Sequence, residues 1–327
     1  MNKSQNENRI PLAVAVWLAT DTYDYNDDPY TISATTLIKP IKEIVLSARV
    51  PEESKVSDIA NSAASSIGTA IHDSIESSWV NNHKQAMADL GYPKKVIDKI
   101  RINPTDDELS EDILPVYMEQ RLTRKVGKWT VTGKFDFLAQ GRVEDFKTTG
   151  VYTYIKKTSD KKYKMQGSIY RFLDPKKITE PTVMIHFIFL DWKAYDYMRD
   201  KKNYPPMKIM GHPVPLMGLD ETEEFVTNKL AEIDQYRKAK EDDIPPCTPE
   251  DLWQDEVKYK YYKNPASTGR STKNFTNLGE ANLRLAQDGG VGIVVTDNGQ
   301  VRACKYCSAF PVCKQKDGYI ASGMLKV

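Results

Sequence analysis

Between Trp129 and Lys147 the chain reads as two strands closed by a tight turn, and this stretch constrains the fold more than any other. Trp129 to Leu138 is rich in β-formers, Gln140-Gly141 supplies the turn, and Arg142 to Lys147 returns. Side chains alternate across a strand, so Asp145 and Lys147 share one face while Phe146 takes the other. If the two strands pair, Asp136 converges on the same spot. Two carboxylates on a rigid sheet make a hard-oxygen site suited to Mg²⁺ or Mn²⁺. Such an ion lowers the pKa of a bound water and offsets charge on a phosphodiester in its transition state. Lys147 beside it positions that water or stabilises the pentavalent phosphate as a fixed positive charge. Taken alone, an Asp-x-Lys triplet is more often the alternating charge of an ordinary surface strand.

The flanking pattern alternates helices and strands, which predicts an α/β chain. Pro11 to Ala19 is a short apolar stretch, and Ser33 reads as the cap of a helix start at Ala34. Ile59, Ala63, Ile67, Ile71, Ile75 and Trp79 recur at helical spacing and predict a helix over 57–82. On it, Gly68, His72 and Glu76 share a face. Glycine costs roughly 1 kcal/mol relative to alanine inside a helix, so Gly68 implies close backbone approach, for example by a strand bearing the site. A polar connection at Pro104 to Glu108 leads to a second predicted helix with Glu119 near its end. A Lys-rich segment, a helix placing Gln166 and Tyr170 one turn apart, an apolar strand at Val183 to Leu190 and a helix over 220–239 follow. Beyond Pro245-Pro246, Asp297-Asn298-Gly299 signals a hairpin between Gly292–Thr296 and Gln300–Arg302.

The ordered set His72, Asp136, Asp145-x-Lys147 and Gln166-x-x-x-Tyr170 resembles the RecB-type branch of the PD-(D/E)XK nucleases, which includes recombination helicase–nucleases and CRISPR-adaptation nucleases. The match covers roughly residues 60–175, about a third of the chain. It implies a restriction-endonuclease-like core, a central mixed sheet flanked by helices. It also implies His72, Asp136 and Asp145 as ligands of Mg²⁺ or Mn²⁺, with the Phe146 carbonyl completing the protein shell. Lys147 would be the catalytic lysine, and Gln166 and Tyr170 would orient the substrate or that lysine. Glu119 stands where many members carry a helix-borne acid, and both readings of it, ligand or surface glutamate, stay open. Glu144 and Glu76 read as structural or surface acids, His186 as a hydrogen-bonded core residue, and His83 and His212 as residues without ligand company.

Four cysteines fall in the last quarter of the chain: Cys247, Cys304, Cys307 and Cys313. Four thiolates complete a set for either Zn²⁺ or an iron–sulfur cubane, and spacing does not separate the two. Several RecB-type relatives end in a cysteine triplet spaced like this one and hold a four-iron cluster, so the resemblance favours a 4Fe-4S cluster over zinc. In those relatives the first cysteine precedes the nuclease motifs. Here the matching region, Leu37-Ile38-Lys39-Pro40, has none, and Cys247 follows them. The region from Cys247 to Gln315 also resembles the tail of bacteriophage-encoded members.

Net charge is only +1, so any attraction for nucleic acid must be local. Lys156, Lys157, Lys161, Lys162 and Lys164, interleaved with Tyr152, Tyr154 and Tyr163, form such a cluster beside the motifs, fitted to DNA phosphates. The polar start and the absence of a long apolar run predict a reducing, cytoplasmic setting, the host's if phage-encoded, with no membrane partner. The expected organisation is an N-terminal extension over 1–55, a nuclease core over 56–240 and a cysteine region over 241–327. The expected activity is metal-dependent DNA hydrolysis, as an exonuclease processing ends in phage recombination or replication alongside an annealing or replication protein. A structure-specific endonuclease and an inactive DNA- or protein-binding factor are the rivals.

Overall fold

The computed structural model describes residues 3–20 and 26–326, and the fold is mixed α/β. Contacts divide the chain into two compact units: Met1–Ile38 with Lys55–Ala231, and Lys39–Ser54 with Glu232–Val327. Where the sequence sets cuts after residues 55 and 240, the contacts give 39–54 to the unit that holds the C-terminal region. Among the described residues no helix is long and apolar enough to cross a membrane.

The first unit is built on a six-stranded sheet, in the order Ile209–Pro215, Thr182–Phe189, Arg142–Thr149, Phe137–Ala139, Leu114–Met118, Ile100–Ile102. Arg142–Thr149 lies parallel to Thr182–Phe189 and antiparallel to Phe137–Ala139. Val183, Ile185, Phe187 and Phe189 are all buried, the period-2 signature of a strand packed on one face. The helix Asp160–Leu173 turns Gly167, Ile169, Tyr170, Phe172 and Leu173 inward. The helix Ala63–Asp89 is half-exposed along its length, and Trp79 and Met87 anchor it on Ile100, Val116, Met118 and Phe137.

Several expected elements take another form. The long helix starts at Ala63 because Val56–Asp58 is captured as a strand by Lys3–Gln5 and Asp58 caps an intervening turn of 3₁₀ helix. The second helix expected between Glu108 and Glu119 does not form. Leu114–Met118 is a strand, since Pro115 lacks the N–H a helix interior needs and Val116 and Tyr117 favour extended backbone. The stretch from Trp129 is not one strand of one sheet. Trp129–Lys134 pairs with Arg121–Val126 and Thr31–Ser33 in a separate three-stranded sheet, and only Phe137–Ala139 joins the six-stranded one. Both registers agree across the break, with Arg121 opposite Lys134 and Met118 opposite Phe137. The chain from 114 to 139 is therefore one long hairpin whose two strands pass together from one sheet to the other. The Gln140-Gly141 turn forms as expected, with φ of 49° and 75°, and Ser33 caps Ala34–Leu37 by accepting from the Thr36 N–H.

In the second unit, Lys258–Tyr262 is the central strand between Lys273–Phe275 and Ile293–Asp297. The expected hairpin at Asp297-Asn298-Gly299 does not form. Gly299 does turn the chain, at φ 79°. Beyond it, however, the Gln300 carbonyl accepts from Asp255, and the Val301 N–H goes to the Met324 carbonyl. With those groups already satisfied elsewhere, no return strand is left to form.

Candidate active site

Three acids stand in one row across the first unit. The register of the long hairpin, carried one step past Met118 and Phe137, sets Glu119 opposite Asp136, and the Glu119 N–H donates to the Asp136 carbonyl at 3.1 Å. The pairing of Phe137 with Glu144, carried one step the other way, sets Asp136 opposite Asp145. Asp136 Oδ2 accepts from the Phe146 N–H at 3.1 Å. Glu119 adopts the left-handed region, φ 52°, at the point where the hairpin changes sheets. Non-glycine residues rarely sit there, and this backbone aims its side chain along the row.

His72 reaches the row from the long helix. Its Nδ1 lies 3.6 Å from Asp136 Oδ2, and its Nε2 lies 2.8 Å from the Phe146 carbonyl. One ligand atom each from His72, Glu119 and Asp136 falls within a mutual 4.8 Å. The Phe146 carbonyl, expected in the ligand shell, is engaged by the histidine ring. Gly68 sits one turn before His72, and a Cβ added there would lie 3.4 Å from Thr148 Oγ1 on the Asp145 strand.

Asp145 is 5% exposed, and its Oδ2 lies 2.6 Å from Lys147 Nζ. Burial first, and then the facing Asp145 charge, pushes the Asp136 carboxyl up to about 6. Burial pulls the Lys147 ammonium down, yet the charges of Asp145 and Asp136 outweigh it and hold it above the ordinary lysine value. Like charges facing each other across a sheet are destabilising. A divalent cation would reverse that sign, so the donor set fits a hard ion.

Gln166 and Tyr170 meet as the spacing implies: Gln166 Nε2 donates to the Tyr170 hydroxyl at 2.7 Å. That hydroxyl in turn donates to the Lys134 carbonyl at 2.8 Å, so the pair braces the long hairpin. Burial raises the Tyr170 phenol, and the Asp145 charge adds to it. Two residues of the site were given no place in it from sequence, Tyr163 having been read only with the lysine cluster. Lys134 places its Nζ 2.5 Å from Glu119 Oε2, and Tyr163 lines a small pocket with Asp145, Gln166 and Tyr170. The glycine-lysine pair just before Asp136 was the available signal for Lys134. For Tyr163 it was the helical step of three to Gln166.

The other candidates fall as follows. Lys156 ends the helix Val151–Lys156, Lys157 follows it, and Lys161, Lys162 and Lys164 ride the start of Asp160–Leu173; all but Lys164 are exposed. Glu144 is held by His186 at 2.7 Å and Arg142 at 3.1 Å. His83 bonds the Trp79 carbonyl, and His212 bonds Asp160.

In the second unit all four cysteines line one cavity, together with Pro40, Glu43 and Lys316. Gln315 fixes Cys247 through both its backbone groups, at 2.9 and 3.0 Å. Cys304 lies in the 3₁₀ turn Ala303–Tyr306 with Cys307 just after it, and Cys313 stands immediately before the helix Lys314–Ala321. Burial pushes the Cys247 thiol up to about 12 and the Cys307 thiol up to about 11, and raises Cys304 as well. Thiols so placed ionise only against a cation. Pro40 belongs to the segment where the resemblance expects a first cysteine, so Cys247 reaches that same cavity from the other end of the chain. Among the described residues, no three of these sulfurs lie within 4.8 Å of one another.

No protein-family model matches the chain, and no curated protein matches it. Among solved structures the chain is similar to the crystal structure of SSO0001, at 14% identity and a TM-score of 0.38, over 66% of this chain and 81% of that one. It is also similar to a phage-related exonuclease from Haemophilus somnus 129PT, at 14% identity and a TM-score of 0.26, over 37% of this chain and 60% of that one. Likenesses this loose carry no weight for the chemistry.

Proposed function

We propose that the chain is a divalent-metal-dependent deoxyribonuclease of the PD-(D/E)XK kind that hydrolyses phosphodiester bonds and trims DNA from its ends. The row of Glu119, Asp136 and Asp145, with His72 above it and Lys147 beside it, carries this reading. His72, Glu119, Asp136 and Asp145 would hold the ion, and the Phe146 carbonyl would fix the His72 ring with its proton on Nε2, leaving Nδ1 to face Asp136. A ligand histidine held through its other nitrogen by a backbone carbonyl is a common arrangement. When bound, Mg²⁺ or Mn²⁺ supplies a water of lowered pKa and positive charge for the phosphate oxygens. Lys147, charged at neutral pH, holds the attacking water or a phosphate oxygen against the strand. The exposed lysines from 156 to 162 neutralise phosphates of the same duplex, which makes binding weaken steeply with salt.

Digestion with Mg²⁺ or Mn²⁺ of linear, nicked and closed circular duplex DNA, and of linear and circular single-stranded DNA, tests this. Linear DNA is expected to be degraded and closed circles spared, with Lys147→Ala slower by about a hundredfold or more. Cleavage of closed circles would make the enzyme an endonuclease. No cleavage of any substrate, with Asp136→Ala indistinguishable from wild type in DNA binding, would leave a binding factor.

The cavity lined by all four cysteines supports a second centre. Four thiolates suit Zn²⁺ or an iron–sulfur cluster alike, and the resemblance to RecB-type relatives that end in such a cysteine triplet favours the cluster. Bound there, it would staple the C-terminal segments together.

A further inference from the structure

Glu119 is claimed twice. Its carboxylate is one of the three groups whose ligand atoms crowd within 4.8 Å, and the same carboxylate pairs with Lys134 Nζ at 2.5 Å. The backbones on both sides of this pair are held. The Glu119 N–H is bonded to the Asp136 carbonyl, and the Lys134 carbonyl accepts from the Tyr170 hydroxyl, itself bonded by Gln166. The Tyr170 ring lies across Gly133, where a Cβ would come within 2.7 Å of two ring carbons. The Gln166–Tyr170 brace therefore fixes the root of Lys134, while the lysine side chain, 48% exposed, reaches Glu119 from the solvent side. Asp145 has its own lysine in Lys147 and is itself only 7% exposed, whereas in the Glu119–Lys134 pair the lysine is 48% and the acid 23% exposed.

We propose that Lys134 is a positioning residue that serves as the internal counter-ion of Glu119 in the ion-free protein and is displaced from it when the divalent ion arrives. The inference rests on the metal-centre reading above and adds to it a competition between one side chain and the ion. The direction follows from magnitudes. A half-exposed ion pair holds its partners weakly, and a doubly charged ion with several oxygen ligands outbids it. The lysine nonetheless places a positive charge beside a cation site, which lowers affinity for the ion. Once displaced, the ammonium stays tethered at the mouth of the site, because its backbone is clamped. The Gln166-x-x-x-Tyr170 pair acts on the metal site through Lys134.

Titration of the intact protein with Mn²⁺ in the absence of DNA, followed by the EPR signal of free Mn²⁺, tests this without any turnover. Lys134→Met is expected to bind Mn²⁺ on the order of fivefold tighter than wild type, Lys134→Arg to match wild type, and Glu119→Gln to bind more weakly. In a Glu119→Gln background, Lys134→Met is expected to change affinity by less than about twofold, since the group it competes for is gone. An unchanged or weakened Mn²⁺ affinity in Lys134→Met overturns the proposal, as does an equal gain in both backgrounds, which is the mark of a general field effect. A merely structural lysine would lower the melting temperature and leave the affinity alone. If wild type binds no Mn²⁺, the metal centre falls and this inference with it; if wild type binds and Lys134→Met does not differ, only the inference falls.

Discussion

Asp136 concentrates the electrostatics of the site in one side chain. It is partly buried, it faces Asp145, and its carboxyl is pushed up to about 6. A carboxyl whose folded pKa lies above its unfolded value holds its proton more tightly in the native state. It therefore adds stability at low pH that is lost as pH rises through about 6. Asp136→Asn removes that loss. The metal-free variant is expected to be more stable than wild type by about 1–2 kcal/mol at pH 8 and to show no gain at pH 4. Urea unfolding at the two pH values, with chelator present, measures both. Saturating Mg²⁺ is expected to close the gap at pH 8, because only wild type recovers the ion's binding energy. Equal stability of the two proteins at pH 8 would contradict the like-charge account.

The long helix and the Asp145 strand meet at Gly68. The sequence expects a close backbone approach at Gly68; the strand that lies there is the Asp145 strand, but the one atom a Cβ would meet is the Thr148 side-chain oxygen. What the contact allows was not legible. A Cβ would stand 3.4 Å from Thr148 Oγ1, an ordinary van der Waals separation, so a methyl fits. Gly68→Ala is expected to raise stability by up to about 1 kcal/mol through helix propensity, read as a higher melting temperature. Gly68→Leu is expected to wedge the helix off the strand, costing about 1–3 kcal/mol and drawing His72 away from Asp136. Glu119 shows the opposite case. It is expected on a helix by analogy and by its place in the chain, yet it stands at the end of a strand, because Pro115, Val116 and Tyr117 commit the segment to the sheet. Its use in the row depends on a left-handed backbone that no local pattern announces.

Across the whole molecule, the two compact units hold the two candidate centres separately. In the second unit the half-buried thiols of Cys247 and Cys307 make the cysteine cavity the place where bound metal would contribute most to folding. Cys307→Ser is expected to abolish any absorbance near about 400 nm in anaerobically purified protein. It is also expected to speed amide exchange over 301–325 while leaving the strand Thr182–Phe189 unchanged. Hydrogen-exchange mass spectrometry reads both regions in one experiment. Faster exchange in both, or in neither, would remove the staple role.

Sequence alone determined which side chains are candidates and on which face of their own element they lie, since helical and strand periodicities are local. Asp145 and Lys147 share a face by a step of two, Gln166 and Tyr170 by a step of four, and the four cysteines stand out by type and position. Only the tertiary structure decided what meets what. Strand register over tens of residues aligned Glu119, Asp136 and Asp145 in one row, and the passage of a single hairpin between two sheets brought Lys134 to Glu119. The turn at Gly299 lost its hairpin because Asp255 and Met324 took the hydrogen bonds that a return strand would need. Pairing between distant segments depends on which partner satisfies each backbone and charge best, and that comparison is made only in the folded chain.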